Sequence, residues 1–255
     1  MAKIGAVIIG GGTISDPMFR EAAGADCKSL ITLHDKLMIQ WIAEAVKASD
    51  SVGEVAVVGP ACLADGAMAQ VADHVLPEEA HEVDSLLAAV DALDDPDRVL
   101  MVSGDTPLLT PEAVDDLVLN APKADIVYPS VDKSSVMGRF ADRKWAFIRT
   151  CEGEFVGSST VLFRPTAFRH HEDMLRRVFD ARSDVMALVK MLGIGFALKF
   201  AMGQLSIRDM ERRISEVLSV EGRSYVSAYP ELAFDVDRPS DIALAEEALR
   251  LRRSG

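Results

Sequence analysis

Val99-Leu100-Met101-Val102-Ser103-Gly104-Asp105-Thr106-Pro107-Leu108-Leu109-Thr110-Pro111-Glu112 joins an apolar run to a turn and then to a helix start. The run reads as a buried strand, because parallel strands covered on both faces lose the apolar/polar alternation of half-exposed ones. Asp105 stands just past its carboxyl end, in the crevice where open α/β sheets bind ligands, and an acid there is placed to hold a metal-bound phosphate. The plainer alternative is that Asp105 only caps the turn, for which Asp-Thr-Pro is good chemistry. Pro111 at the first helical position, with Thr110 as N-cap, begins a helix carrying Ala113, Val114, Leu117 and Val118.

Outward from this segment, apolar runs alternate with helix-period stretches, the pattern of a mostly parallel sheet covered on both faces. Strands are expected at Ala6–Ile9, Val55–Val58, Val99–Val102 and Asp125–Tyr128, and helices at Leu37–Ala48 and Val83–Leu93. The stretch 14–26 reads as irregular. Beyond about residue 130 the pattern changes: 133–149 is basic and irregular, and Trp145–Ile148 and Thr160–Phe163 read as short antiparallel strands of a lobe over the sheet edge. From Glu172 to Leu218 the chain reads as helical, with Ser206 opening a capped helix; within it, 185–203 is apolar but contains Lys190 and Lys199, and is expected to pack internally or at an interface rather than on a membrane. Phe234–Asp237 reads as a final short strand and Pro239–Arg250 as a closing helix, with Asp241 capping its first turn.

The 255 residues, 49% of them hydrophobic, suffice for one large core with an appended subdomain, and the formal charge of -13 argues against nonspecific nucleic-acid binding. An anionic substrate must therefore meet a locally basic site. Cys27, Cys62 and Cys151 form no CxxC pair, so neither zinc nor a disulfide framework is indicated, and reduced thiols in the cytoplasm are the expectation. The apolar N-terminal run is too brief for a signal peptide.

Gly10-Gly11-Gly12-Thr13 follows the first strand directly, and glycines there let backbone N–H groups approach phosphate oxygens. The cluster is neither GxGxxG nor a Walker loop. Lys28, returning from that loop, either sets its ammonium against a triphosphate or is a solvated loop lysine. Asp235 and Asp237, two apart on a strand, would point to one face; the alternative for both is loop capping. Lys133, Arg139, Arg143, Lys144 and Arg149 form either a reception area for an anionic acceptor or a solvated basic face. His34, His74, His81, His170 and His171 form no cluster with a nucleophile.

In order, Ala6-Val7-Ile8-Ile9-Gly10-Gly11-Gly12, Lys28-Ser29-Leu30 with Lys36-Leu37-Met38-Ile39, the Ser103–Glu112 segment, and Phe234-Asp235-Val236-Asp237-Arg238-Pro239-Ser240-Asp241 resemble the MobA-like NTP transferases of the nucleotide-diphospho-sugar transferase (GT-A-like) superfamily. The resemblance spans nearly the whole chain. It implies a three-layer α/β/α Rossmann-like fold with a mostly parallel mixed sheet and a helical C-terminal addition. Within a single domain over residues 1–255, residues 130–170 would form an acceptor-side lobe and 172–218 a helical insertion. By the same resemblance Gly10, Gly11, Gly12 and Lys28 bind the triphosphate, Asp105 binds Mg²⁺ with Asp237 as second ligand and Asp235 in reserve, and Ser103 and Gly104 lie beside the base or ribose.

The implied reaction is NMP transfer from an NTP to a small phosphorylated or sugar-like acceptor, with pyrophosphate leaving. The implied partners are small molecules, with a homo-oligomer an open option. Three departures from the family stand out: Thr13-Ile14-Ser15-Asp16 replaces an early basic residue, lengthening the loop to Lys28, Cys27 stands where many relatives have proline, and the third lies in a later loop. Phe155–Thr160 lacks the acceptor-loop pattern of some relatives. The alternatives are a nucleotide-sugar glycosyltransferase, for which Ser103-Gly104-Asp105 lacks an Asp-x-Asp, and a catalytically silent nucleotide-binding module.

Overall fold

A computed structural model describes residues 4–64, 66, 68–181 and 185–254. The first half is a parallel α/β run. In order come β1 (Ile4–Ile9), α1 (Pro17–Ala23), the hairpin β2 (Thr32–Leu33) and β3 (Lys36–Leu37), α2 (Met38–Ala48), β4 (Val52–Gly59), α3 (Met68–Val71) and β5 (His74–Pro77). Then follow α4 (Glu82–Ala92), β6 (Val99–Ser103), α5 (Pro111–Asn120), β7 (Ile126–Asp132) and α6 (Lys133–Arg139). The second half contributes β8 (Ile148–Thr150), β9 (Gly153–Gly157), β10 (Thr160–Phe163), α7 (Pro165–His170), α8 (Glu172–Ala181), α9 (Val185–Leu192), α10 (Ile194–Ala201) and α11 (Ile207–Leu218), and closes with β11 (Gly222–Ser227) and α12 (Pro239–Ser254).

Among the described residues nine strands form one mixed sheet in the order β5-β4-β1-β6-β10-β7-β9-β8, with β11 also paired to β7. β1 is parallel to β4 on one side and to β6 on the other, Ile9 standing opposite both Val58 and Ser103. Alternate residues feed opposite layers. Ala6, Ile8, Val55 and Val57 join the core on the face covered by Ile39, Ile42, Val114, Leu117 and Leu249, whereas Val7, Ala56 and Val58 join the face covered by Val83, Leu86, Phe168 and Leu218. This two-sided covering is the three-layer α/β/α architecture expected from the apolar runs, and the helical C-terminal segment is present.

Several local expectations are corrected. Asp16 caps a helix inside the stretch read as irregular, accepting from Met18 N and Phe19 N, with Pro17 following it. Trp145 and Phe147 lie outside any strand; the Trp145 ring packs between Phe140 and Phe147, and β8 begins only at Ile148. β10 pairs within the main sheet, antiparallel to both β6 and β7. Phe234–Asp237 is extended chain without a ladder; the true last strand is the polar β11, parallel to β7. Lys133–Arg139 is helical, capped by Asp132. In the C-terminal helical region, of which residues 182–184 lie outside the described residues, Ile194, Leu198, Phe200 and Met202 are exposed rather than packed internally. No helix among the described residues is long and apolar enough to cross a membrane.

Candidate active site

The strand order reverses at β1: the chain runs to β4 and β5 on one side, then returns to β6 on the other. Such a switch point leaves a crevice at the carboxyl ends of the two central strands, because the loops leaving them diverge. Gly10–Gly12 and Ser103–Asp105 are the residues that emerge there. The two loops touch through backbone, Gly104 N donating to Ile9 O at 2.7 Å, and a Cβ on Gly104 would sit 2.7 Å from Gly10 Cα. Ser103 is held by its own backbone, which donates to Ser159 O and accepts from Thr106 Oγ1. Gly12 has φ +87, a left-handed conformation that suits glycine.

Lys28 reaches this crevice because its neighbours are pinned beneath it. Cys27 Sγ and Ser29 Oγ both donate to Gly10 O, in a short 3-10 turn spanning Lys28–Leu30. The chain segment carrying Asp237 arrives by a different tie, Val236 N donating to Asp105 O at 2.9 Å. As a result Lys28 Nζ lies 2.9 Å from Asp105 Oδ2 and 2.7 Å from Asp237 Oδ1. Burial alone would lower the Lys28 pKa, but Asp105 and then Asp237 outweigh it and raise it above its ordinary value.

Asp235 does not face Lys28. It pairs with Arg143, whose Nη2 also donates to Asp235 O at 2.8 Å, and it accepts from Ser159 Oγ at 3.3 Å. Burial, reinforced by Asp237, pushes the Asp235 carboxyl up to about 6, with Arg143 pulling the other way. A carboxyl raised in the folded state binds its proton more tightly there, so stability from this group falls as pH rises from about 4 through 6. Asp235→Asn should flatten that part of the profile, on the order of 2–3 kcal/mol, in urea titrations of metal-free protein.

Asp241 closes the segment, accepting from the backbone N of Asp237 and Arg238, so its capping role holds. The basic stretch is largely committed internally: Lys133 and Arg149 pair with Glu154, Arg139 with Glu231, and Arg143 with Asp235. Of the histidines, His34 bonds Glu246 O, His81 bonds Asp180 and His170 bonds Thr166 O.

Three participants hold places that sequence reasoning does not give them: Glu78 is not singled out, Ser159 is read only within Phe155–Thr160, and Arg143 only as one of the basic stretch. Glu78, just past β5, accepts from Gly12 N at 3.0 Å. Ser159 stands just before the antiparallel β10, which brings it to the same sheet end as Asp105. Arg143 sits between Trp145 and Phe234, 4.3 and 5.2 Å from the ring centroids. The available signal for Arg143 was the density of acids at 235–241, which demands a buried counter-cation.

The donor set fits a hard divalent cation. Lys28 shows that a single positive centre contacts Asp105 and Asp237 together, and Asp105 Oδ1 is buried without a hydrogen-bond partner. Among the described residues no cluster of three or more His, Cys, Asp or Glu forms a ready metal cage. Mg²⁺ is the cation that the Asp105–Asp237 pair would take, since it commonly binds through one or two carboxylates and completes its shell with water and substrate phosphates.

Comparison with known proteins gives the family and the fold. A search of curated proteins returns no match. Among solved structures, a hypothetical transferase from Thermus thermophilus is similar at 32% identity and TM-score 0.84, over 94% of this chain and 99% of its own. A CMP:2-keto-3-deoxy-manno-octonic acid synthetase complexed with CTP shares the fold at 12% identity and TM-score 0.64, over 99% of this chain and 100% of its own. So does 2-C-methyl-D-erythritol 4-phosphate cytidylyltransferase from Thermus thermophilus, at 15% identity and TM-score 0.56, over 97% and 99%. With the family model for the MobA-like NTP transferase domain matching residues 6–186, the chain belongs to the MobA-like NTP transferases and is a nucleotidyltransferase.

Proposed function

We propose that the protein transfers an NMP group from an NTP to a small phosphorylated or sugar-like acceptor with release of pyrophosphate, using Mg²⁺ held by Asp105 and Asp237. The observation that carries this reading is the convergence of Lys28, Asp105 and Asp237 on one point beside the Gly10–Gly12 loop. Bound Mg²⁺ would neutralise charge across the phosphates. The loop amides of Gly11 and Gly12 orient the triphosphate, and Lys28 balances charge as pyrophosphate departs. Asp105, in the turn just past β6, would hold the cation that aligns the α-phosphate with the acceptor, and alignment of this kind supplies much of such catalysis. A phosphate acceptor is already ionised near neutral pH, so attack on the α-phosphorus needs no histidine base. Ser103 and Gly104 border the nucleoside, and residues 130–170, whose Ser159 reaches Asp235, border the acceptor.

The test is pyrophosphate release from each NTP with Mg²⁺ and a panel of phosphorylated metabolites and sugars. Release that depends on acceptor supports the reading. Nucleotide binding without release points to a silent module, and sugar transfer from a nucleotide sugar points to glycosyl transfer. In the same assay Lys28→Ala should weaken NTP binding by about 10–100-fold, equivalent to one or two charge-assisted contacts. Its melting temperature should fall by a few degrees at most, since the pair with Asp237 is half-exposed and that with Asp105 only part-buried. An unchanged NTP dissociation constant rejects the phosphate role of Lys28.

A further inference from the structure

Asp105, Asp235, Asp237 and Asp241 gather at this end of the sheet, and two cations of the chain, Lys28 and Arg143, stand among them. They are held differently. The Arg143 side chain is 6% exposed, is bonded to both the carboxylate and the carbonyl of Asp235, and is walled by two aromatic rings. Lys28 is 31% exposed and reaches its partners through an ammonium at the end of a flexible stem, one of those partners, Asp237, being 52% exposed. Removing Arg143 from its place breaks several fixed contacts to backbone and rings, whereas Lys28 is held only by its two carboxylates and can leave them by rotating its stem once a competing cation takes its place.

The glycine loop shows the same device with opposite sign. The exposed Glu78 carboxylate accepts from Gly12 N, and it lies so close over Gly11 that a Cβ there would sit 2.4 Å from Glu78 Oε2. A carboxylate oxygen thus fills a backbone donor that a phosphate oxygen would use.

We infer that the free site is closed by its own exchangeable charges, Lys28 standing where a divalent cation binds and Glu78 where a triphosphate oxygen binds, so that cation and triphosphate admit one another. This rests on reading the crevice as the NTP site. A cation entering between Asp105 and Asp237 displaces the Lys28 ammonium, which is then free to meet the phosphates. Triphosphate drawing Lys28 away uncovers the two carboxylates for the cation. Because the coupling is between equilibria, each ligand must strengthen the other by the same factor. Arg143 stays in place throughout and keeps Asp235 neutralised.

The test is binding rather than turnover. Mn²⁺ affinity is measured by electron paramagnetic resonance, and tripolyphosphate affinity by calorimetry, for wild type, Lys28→Met, Lys28→Gln and Glu78→Ala, with circular dichroism confirming each fold. Both Lys28 variants should bind Mn²⁺ alone about 10-fold more tightly than wild type, and gain less Mn²⁺ affinity from added tripolyphosphate, on the scale of ordinary allosteric couplings. Glu78→Ala should bind tripolyphosphate about 3–10-fold more tightly, with Mn²⁺ affinity alone unchanged, an effect on the same scale. Mn²⁺ affinity unchanged or weakened in both Lys28 variants overturns the inference, as does tripolyphosphate affinity unchanged or weakened in Glu78→Ala. If these shifts appear while no NTP yields pyrophosphate, the catalytic reading fails and the exchange of charges stands.

Discussion

Asp105→Asn should reduce nucleotidyl transfer by about 10³-fold or more, the scale seen when one preorganised electrostatic contact to a developing charge is removed. Two features set this expectation. Asp105 is anchored at a strand end whose loop is bonded to both Ile9 and Val236, so no neighbouring acid can move into its place. Its Oδ1 is buried and unpartnered, as the proposed cation site requires. The same substitution should hardly change the stability of the free protein, because Lys28 keeps Asp237 as a partner and the side chains are nearly isosteric. Ligand-induced stabilisation separates the effects: NTP with Mg²⁺ should raise the melting temperature of wild type and fail to raise that of Asp105→Asn. Retained transfer in Asp105→Asn sinks the assignment.

Gly104→Ala should destabilise the fold by about 3 kcal/mol, at the upper end for overpacking, because the clash is with backbone rather than with a side chain that can rotate. The added Cβ would lie 2.7 Å from Gly10 Cα and 2.9 Å from Ile9 O, forcing the ends of β1 and β6 apart. That corresponds to a fall of roughly 6–12 °C in melting temperature for a domain of this size. Parting those ends also separates the glycine loop from Asp105, so residual folded protein should bind NTP poorly. A melting temperature within about 2 °C of wild type shows that the loops are not locked by this contact.

The central strands were legible because burial on both faces leaves an unbroken apolar signature, as in Ala6–Ile9 and Val99–Val102. β11 was not: Gly222-Arg223-Ser224-Tyr225-Val226-Ser227 carries no apolar run, and it becomes a strand through ladder pairing with β7. Phe234–Asp237 misled in the opposite sense. Phe234 and Val236 are fully buried, yet their alternation with aspartates reflects a segment tied to the Asp105 loop, not a strand. Helix starts were read well where a cap side chain is adjacent in sequence, as at Thr110 and Ser206, and missed at Asp16 because the seven-residue helix it opens is too short to show a period.

For the site, residue types beside strand ends brought forward Gly10, Gly11, Gly12 and Asp105, while the family resemblance gave Lys28 its role and put Asp237 ahead of Asp235. Chemistry confined to a strand and the loop that follows it is written in local sequence, because the strand dictates where that loop emerges. Which of Asp235 and Asp237 faces Lys28, the burial of Arg143 among acids and rings, and the seat of Glu78 on Gly12 were decided by the tertiary structure alone. Each joins residues far apart in the chain, and pairing at that range depends on the sheet order and on single backbone ties such as Val236 N to Asp105 O, which leave no periodic trace in the sequence.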